Sequence, residues 1–171
     1  ANSGLVVTID PAETGNAHPL AGVHFQQRYE RMAYLAGGRS YAAPIQWVRD
    51  FLEGRSSRGK LPSSYCRGQT VATDLRQLLP PSTVEALMRG LPIMDRKLRG
   101  QFLKQATITG PESRGSSPVR IPRDSETRQC PSIHGLYPCG EGAGYAGGII
   151  SAAVDGLRTA RAIVAAYATP V

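Results

Sequence analysis

Glycines crowd one stretch of this chain and surround a single carboxylate. Residues 136–156 hold six of the chain's 19 glycines, and an alanine-rich segment follows them. Backbone without side chains can bend tightly or lie close to a ligand, and the N–H groups at the start of a helix attract anions, phosphates above all. Glu141 lies in the middle of these glycines. A carboxylate accepts hydrogen bonds from hydroxyl groups, so the expected ligand carries hydroxyls as well as phosphates.

The spacing of these glycines leaves two interpretations open. It does not match the Rossmann GxGxxG motif, and no Lys-Ser/Thr pair follows as in a P-loop. A strand packed closely on a helix would also require small residues. Glu141 and Tyr145 favour a ligand, because neither side chain packs easily at a tight turn. The candidate cofactor-binding residues are Gly140, Glu141, Gly142, Ala143, Gly144, Tyr145, Ala146, Gly147 and Gly148.

The positive charge of the chain comes almost entirely from arginine. The formal net charge is +7 with 20 basic residues, and the lysines are Lys60, Lys97 and Lys104. Arginine favours planar, bidentate recognition of phosphate or carboxylate. The arginines are scattered, however, and no zinc finger, aromatic RNA-binding motif or basic helix accompanies them. This pattern disfavours nucleic-acid binding, but a non-catalytic module for anions or nucleic acid remains the alternative function.

Other kinds of chemistry find little support in the sequence. Cys66, Cys130 and Cys139 are odd in number and widely spaced, which argues against a disulfide framework and a zinc site and favours a reducing compartment. The histidines are far apart, so no catalytic pairing or metal site is predicted. The longest apolar run is interrupted by polar residues, and no membrane span is predicted.

The first two thirds of the chain read mainly as helices. Alternating apolar residues predict a strand at Leu5–Ile9. Helical spacing predicts helices at residues 20–36, 43–52, 73–79, 80–88 and 91–102, the last with Ile93, Met94, Leu98 and Phe102 inward. Residues 54–68 read as a surface loop. We therefore expect a strand leading in at residues 1–10 and a mainly helical subdomain at 11–105.

The pattern changes near Ala106. Residues 106–114 alternate as a strand, and residues 117–122 read as its antiparallel partner, with a charged loop up to residue 131. A buried strand is predicted at Ile133–Cys139 and a long helix at Gly144–Ala168. Its expected inward positions are Ile149, Ala153, Leu157, Ala160 and Val164.

Three blocks of the sequence carry a family resemblance. They are GLYPCGEGAGYAGGIISAAVDGLRTARAI at residues 135–163, TGPESRGSSPVRIPRD at 109–124 and ANSGLVVTI at 1–9. Together they resemble the C-terminal region of the FAD-dependent dehydrogenase-like, NAD(FAD)-utilising protein family of bacteria and plastids. The resemblance implies an α/β (α+β) fragment: a C-terminal strand-turn-helix at 132–171 from a two-dinucleotide-type FAD-binding fold, a strand pair at 106–131 facing the flavin, and the helical subdomain.

The resemblance also implies a role for each matched residue. Glu141 would hydrogen-bond the ribityl chain of FAD, and residues 142–148 would let the backbone approach the isoalloxazine. The candidates for the flavin edge or an anionic substrate are Arg114, Ser116, Ser117 and Arg120. The cofactor would be FAD, with NAD(P)H as a candidate reductant. The half that binds the adenosine diphosphate would lie in the remainder of the protein's own chain, before this fragment, in a bacterial cytoplasm or plastid stroma.

Overall fold

A computed structural model describes residues 3–59, 61, 69–101 and 103–167. The chain divides into two compact units, one formed by Ala1–Gly15 and Phe25–Ser113 and the other by Asn16–His24 and Arg114–Val171. Several predicted features lie outside the described residues. They are residues 60 and 62–68 of the predicted surface loop, which include Cys66, the side chain of Phe102, and the predicted helix end at Ala168.

A small mixed sheet forms the centre of the first unit. Its strands are β1, Ala43–Trp47, β2, Thr70–Ala72, and β3, Thr107–Thr109, in the order β2-β1-β3. β1 runs parallel to β2, with Ala43 opposite Thr70, and antiparallel to β3, with Ile45 opposite Thr109. β1 therefore pairs along both of its edges and is the central strand of the sheet.

The predicted helix at Ala43–Leu52 is wrong over its first half. Residues 43–47 form β1, and only α2, Val48–Leu52, is helical. Ile45 and Trp47 are β-branched and aromatic residues, which pack well on a pleated surface. The strand passes directly into a one-turn helix, so these ten residues contain both the two-residue period of a strand and the 3.6-residue period of a helix. Together the apolar positions resemble the spacing of a single helix. The region at 11–105 is thus not only helical, because it supplies β1 and β2.

Helices around the sheet form the core of the first unit. α1 spans Ala21–Ala36, close to its prediction, and α3 spans Pro81–Lys97. A 3₁₀ turn, Leu75–Gln77, replaces the helix predicted at 73–79. The core side chains are Val48, Phe51, Leu75, Leu78, Leu87 and Leu91.

α3 joins two helices that the sequence separates. The predicted break at residues 89–90 does not occur, and Pro92 lies inside the helix. The inward side of α3 is carried by Leu87 and Leu91, which are buried. The side chains predicted inward, Ile93, Met94 and Leu98, are exposed. The inward side predicted for residues 91–102 is therefore wrong.

The segment Leu5–Ile9 alternates as predicted but forms no strand. Leu5 and Val7 pack against the core of the first unit, whereas Val6 is exposed. The segment has no ladder partner among the described residues. The alternation of apolar residues therefore correctly indicated which side chains face inward. Such alternation requires only an extended backbone, not hydrogen-bonded pairing with another strand.

The second unit combines one long helix with irregular chain. α4 spans Ile149–Tyr167. The predicted strands at 117–122 and 133–139 do not form: β3 pairs with β1 instead, and both segments are irregular. Pro118 and Pro122 lack the N–H that a ladder requires. Ile133 and Leu136, expected in a buried strand, are exposed.

The buried face of α4 is opposite to the one predicted. Asp155 and Thr159 are its buried residues. Ile149, Leu157 and Val164, expected inward, are exposed, with Ile149 at 89%. Ala153 and Ala160, on the same stripe, are exposed as well. The buried face of α4 is thus the face that carries Asp155 and its arginine partners, and not the face that carries the apolar stripe. None of the helices described is both long and apolar enough to cross a membrane.

Candidate functional site

The glycine-rich loop at 140–148 lies directly before α4 and carries a second segment, 116–121, on its surface. The Ile121 N–H donates to the Ala143 carbonyl at 3.1 Å. The Ser117 hydroxyl donates to the Gly142 carbonyl, also at 3.1 Å. The Tyr145 hydroxyl donates to the Ile121 carbonyl at 2.9 Å. Residues 22 to 25 positions apart in sequence therefore form one surface.

Gly144 is required for this packing. Its φ is +83°, and an added Cβ would lie 2.5 Å from the Val119 carbonyl oxygen and 2.9 Å from the Arg120 Cα. A side chain there would strain the backbone and push the two segments apart. Close packing, the alternative explanation for the glycines, thus accounts for Gly144.

Three other glycines of the loop face open space. An added Cβ on Gly142 meets no atom within 4 Å, and those on Gly147 and Gly148 meet only serine hydroxyls, at 3.8 and 3.7 Å. Here the protein itself does not require glycine for contact. Open backbone of this kind leaves room for a flat group to approach.

Free N–H groups accompany this open backbone. Ser151 caps the start of α4, since its hydroxyl accepts from the Gly148 N–H at 3.2 Å. Within the part of the chain that the structure describes, the N–H groups of Gly147, Ile149 and Ile150 have no acceptor. The first N–H groups of a helix carry partial positive charge. This edge of the loop can therefore bind negative charge.

Glu141 makes no side-chain hydrogen bond or ion pair with the described residues. The residue is exposed, and its carboxylate has no partner among the described residues. Its carbonyl oxygen accepts from the Gly144 N–H at 2.9 Å, which fixes the turn. The carboxylate is thus free to accept hydrogen bonds from a ligand.

Two guanidinium groups lie over the ring of Tyr145. The Cζ of Arg123 is 3.5 Å from the ring centroid, and that of Arg120 is 4.4 Å away. Cation–π contacts of this kind hold the guanidinium in a fixed orientation. Tyr145 was predicted as a ligand-facing residue, and here its ring and hydroxyl contact protein groups of this unit.

A buried ion cluster is hydrogen-bonded to the first residue of the glycine-rich loop, Gly140. The Asp155 carboxylate accepts from Arg123 at 2.7 and 2.8 Å, from Arg128 at 2.6 Å and from the Gly140 N–H at 2.9 Å. The side chains of Arg123 and Asp155 are 5% and 11% exposed. The Arg123 hydrogen bonds hold the pKa of Asp155 well below its usual range, and Asp155 raises the pKa of Arg123 in turn.

The predicted site residues divide by position. Ser117 and Arg120 belong to the surface formed with 140–148, and the Ser116 hydroxyl lies 3.8 Å from the Cβ position of Gly147. Ala143 is buried. Arg114 is exposed. The sequence missed Arg123, Arg128 and Asp155, although a lone acid in an alanine-rich helix is a signal for a buried cation partner.

Comparison with known proteins identifies the family. A model of the family "FAD-dependent protein, C-terminal domain-like" matches residues 1–115. The chain belongs to this family. The match supports FAD as the cofactor of the protein that contains this FAD-dependent C-terminal domain, and it agrees with the mixed α/β fold. Of the predicted site residues, Arg114 alone falls inside the matched range.

A longer relative covers the rest of the chain. An uncharacterized protein of Clostridium beijerinckii (strain ATCC 51743 / NCIMB 8052) is 44% identical over 172 residues, which is 99% of this chain. The chain spans 32% of the length of that relative. The likeness thus includes the loop at 140–148 and α4, which lie beyond the family match.

Proposed function

We propose that this FAD-dependent C-terminal domain contributes the ribityl and isoalloxazine part of the flavin site of an oxidoreductase. The observation that carries the proposal is the surface of residues 140–150. It combines open backbone, free N–H groups and an unpartnered carboxylate. Membership of an FAD-dependent family points to the ligand.

The residues present fit a flavin. A ring system is flat, and Gly142, Gly147 and Gly148 leave the space above them open. The ribityl chain is rich in hydroxyls, and the Glu141 carboxylate is free to accept from them. The pyrimidine edge of a flavin gains negative charge on reduction, and the start of α4 offers N–H donors for it.

The chain's own part in the reaction is to bind and orient. When bound, FAD supplies the acceptor for an electron pair and a proton from substrate. The N–H groups of Gly147, Ile149 and Ile150 would stabilise negative charge, Glu141 would fix the ribityl chain, and Arg120 would provide a positive group at the same surface. Segment 116–121 holds the loop in shape through the hydrogen bonds of Ser117 and Ile121. The adenosine diphosphate half of FAD would bind to other parts of the protein.

The test uses the full-length protein and a matched pair of glycine substitutions. The wild type should be yellow and should release FAD on denaturation. Gly142→Val fills the proposed ring position, whereas Gly4→Val fills equally open space in the other unit. We expect Gly142→Val to lower the flavin content at least about tenfold, because one steric clash exceeds 1.4 kcal/mol, and Gly4→Val to leave it unchanged.

A second variant separates the carboxylate from the backbone. Glu141→Gln keeps the size of the side chain and should weaken FAD binding by roughly 10-fold, since hydrogen bonds to a charged group contribute about 1.5–3 kcal/mol. NADH and NADPH are then tested in turn as reductants of the bound flavin. Colourless full-length protein would refute the proposal. Polyanion binding that falls steeply with salt and ignores Glu141 would support the alternative of a binding module.

A further inference from the structure

An open cavity of about 590 Å³ lies in the second unit beside the glycine-rich loop. Its volume is in the range of sites for small organic molecules, roughly 300–1,000 Å³. The lining includes three arginines, a serine, a proline and a tyrosine; the residues are Arg120, Pro122, Arg123, Ser125, Arg128 and Tyr145. No acidic residue lines the cavity in the part of the chain that the structure describes.

Positive charge exceeds negative charge around this cavity. Three arginines line it, and Asp155 is the acid paired with two of them. Both Asp155 oxygens already accept from arginine, and one also accepts from a backbone N–H. The nearby Asp124 carboxylate is held in its own turn by the N–H groups of Glu126 and Thr127. The cavity therefore keeps uncompensated positive charge.

Donors remain available in this cluster. Arg120 is exposed and makes no ion pair or hydrogen bond with the described residues; its guanidinium contacts the Tyr145 ring. The Nε of Arg128 is buried without an acceptor among these residues. Arg128 also has a φ of 63°, a left-handed conformation that is unfavourable for residues with a Cβ. Unfavourable backbone of this kind is concentrated at functional sites.

The arginines are held in place before any ligand arrives. Arg123 is fixed by Asp155, by the Pro138 carbonyl at 2.7 Å and by the Tyr145 ring. Arg128 is fixed by the Asp155 carboxylate. Arg120 is held beside them by its contact with the Tyr145 ring, and its N–H groups have no acceptor among the described residues. Positioned guanidinium groups bind carboxylate and phosphate oxygens with little further loss of entropy.

We propose that this cavity binds the carboxylate or phosphate group of a small organic anion, with Arg120 as the residue that contacts it. The ring of Pro122 would pack against the organic part of the molecule. Because Arg120 and Tyr145 also belong to the surface of the glycine-rich loop, the anion is the substrate of the flavin reaction. The substrate role rests on the proposed function, whereas the binding of the anion does not.

The test measures anion binding to the full-length protein by titration calorimetry. The probes are succinate, benzoate and inorganic phosphate, which separate carboxylate from phosphate recognition. Arg120→Gln should weaken binding of the preferred probe at least about tenfold, as expected for loss of a charge-assisted hydrogen bond. The control is Arg158→Gln, which removes the same charge from an exposed arginine of α4 outside the cavity. It should change the affinity less than about twofold.

A conservative substitution checks geometry as well as charge. Arg120→Lys keeps the charge but loses the planar fork of the guanidinium. The affinity of this variant for the probe should therefore lie between those of the wild type and Arg120→Gln. Thermal unfolding should be the same for all variants, because Arg120 lies at the surface. Absence of binding by all three probes at millimolar concentration overturns the proposal. Equal losses in Arg120→Gln and Arg158→Gln also overturn it, since they indicate only long-range charge.

Two further outcomes separate this proposal from the flavin proposal. Arg120-dependent anion binding to colourless protein supports the anion site and overturns only its link to flavin chemistry. Displacement of bound flavin by a probe overturns the substrate role, because the cavity would then hold part of the cofactor. Perturbation of the flavin spectrum without displacement supports the proposal in full.

Discussion

Asp155→Asn is expected to destabilise the second unit without affecting the first. The substitution keeps the shape of the side chain and removes its charge. The buried carboxylate now accepts from Arg123, Arg128 and the Gly140 N–H. An asparagine has one acceptor oxygen for these donors, and its NH₂ group would face another donor. The two guanidinium groups would then be buried without a counter-ion.

The size of the effect follows from the burial of the pair. Removing one partner of a buried ion pair costs about 3–5 kcal/mol. Arg123 is 5% exposed and Arg128 is 13% exposed, and both also line an open cavity that lets solvent approach. We therefore expect the lower end, about 3 kcal/mol, which corresponds to a roughly 150-fold change in the unfolding equilibrium.

Hydrogen exchange followed by mass spectrometry can locate this loss. Amides in the middle of α4 should exchange roughly 150-fold faster in Asp155→Asn. The chain's one tryptophan, Trp47, lies in β1, so its fluorescence during urea unfolding reports on the first unit alone. Glu126→Gln removes an exposed acid from the same unit and should change stability by at most about 0.5 kcal/mol.

Two results would contradict the reasoning. Unchanged exchange in α4 would mean that the ion cluster contributes nothing to stability. An equal effect of Glu126→Gln would mean that net charge, and not the buried contacts of Asp155, is responsible.

Acid should weaken the same unit. The folded-state pKa of Asp155 is depressed, mainly by its hydrogen bonds from Arg123. Its contribution is fully present above the unfolded-state value of about 3.9 and is lost as the pH falls from there towards the folded-state pKa. The stability difference between wild type and Asp155→Asn should accordingly shrink below about pH 4. A difference that stays constant from neutral pH down to pH 2 would rule out this linkage.

Two further substitutions test the packing of each unit. Gly144→Ala should cost about 2–4 kcal/mol by urea unfolding, because φ is +83° and the new Cβ would lie 2.5 Å from a backbone oxygen, whereas Gly142→Ala should be neutral to within about 0.5 kcal/mol. Equal stabilities of these two variants would refute the packing of the loop. Gln46→Leu should cost about 2–4 kcal/mol in the transition reported by Trp47, because the fully buried amide accepts from one backbone N–H at 2.9 Å and donates to one carbonyl at 2.8 Å. Gln105→Leu, at an exposed position, is the control and should leave this transition within about 0.5 kcal/mol.

The sequence predicts long regular elements well and short ones poorly. α1 and α4 each give several turns of consistent spacing, and both exist as helices. α1 lies close to its predicted bounds, whereas α4 begins at Ile149 and not at the predicted Gly144. β1 has five residues and runs directly into α2. A stretch long enough to show a periodic pattern therefore includes residues of both elements. β2 and β3 have three residues each. Their pairing depends on β1, and a wrong assignment there removes the partner of both.

The candidate site was predictable as a set of segments but not as a network. Glycine density and the family resemblance indicated residues 116–120 and 140–148, and the structure brings these two segments into contact. The contribution of Arg123 and Arg128 depends on one carboxylate far along the chain. Scattered arginines look alike in a sequence, and only the position of Asp155 distinguishes these two from the others.

α4 shows why a helical pattern alone does not determine which face is buried. The apolar stripe through Ile149 and Leu157 has regular spacing, and spacing of this kind fixes which residues share a face. What a face contacts depends on the neighbouring chain. Segment 120–128 presents arginines to α4, and an aspartate can neutralise them, whereas an apolar side chain would leave two buried cations unpaired. The helix therefore rotates Asp155 inward, and the same rotation holds the loop at 140–148 through the Gly140 N–H.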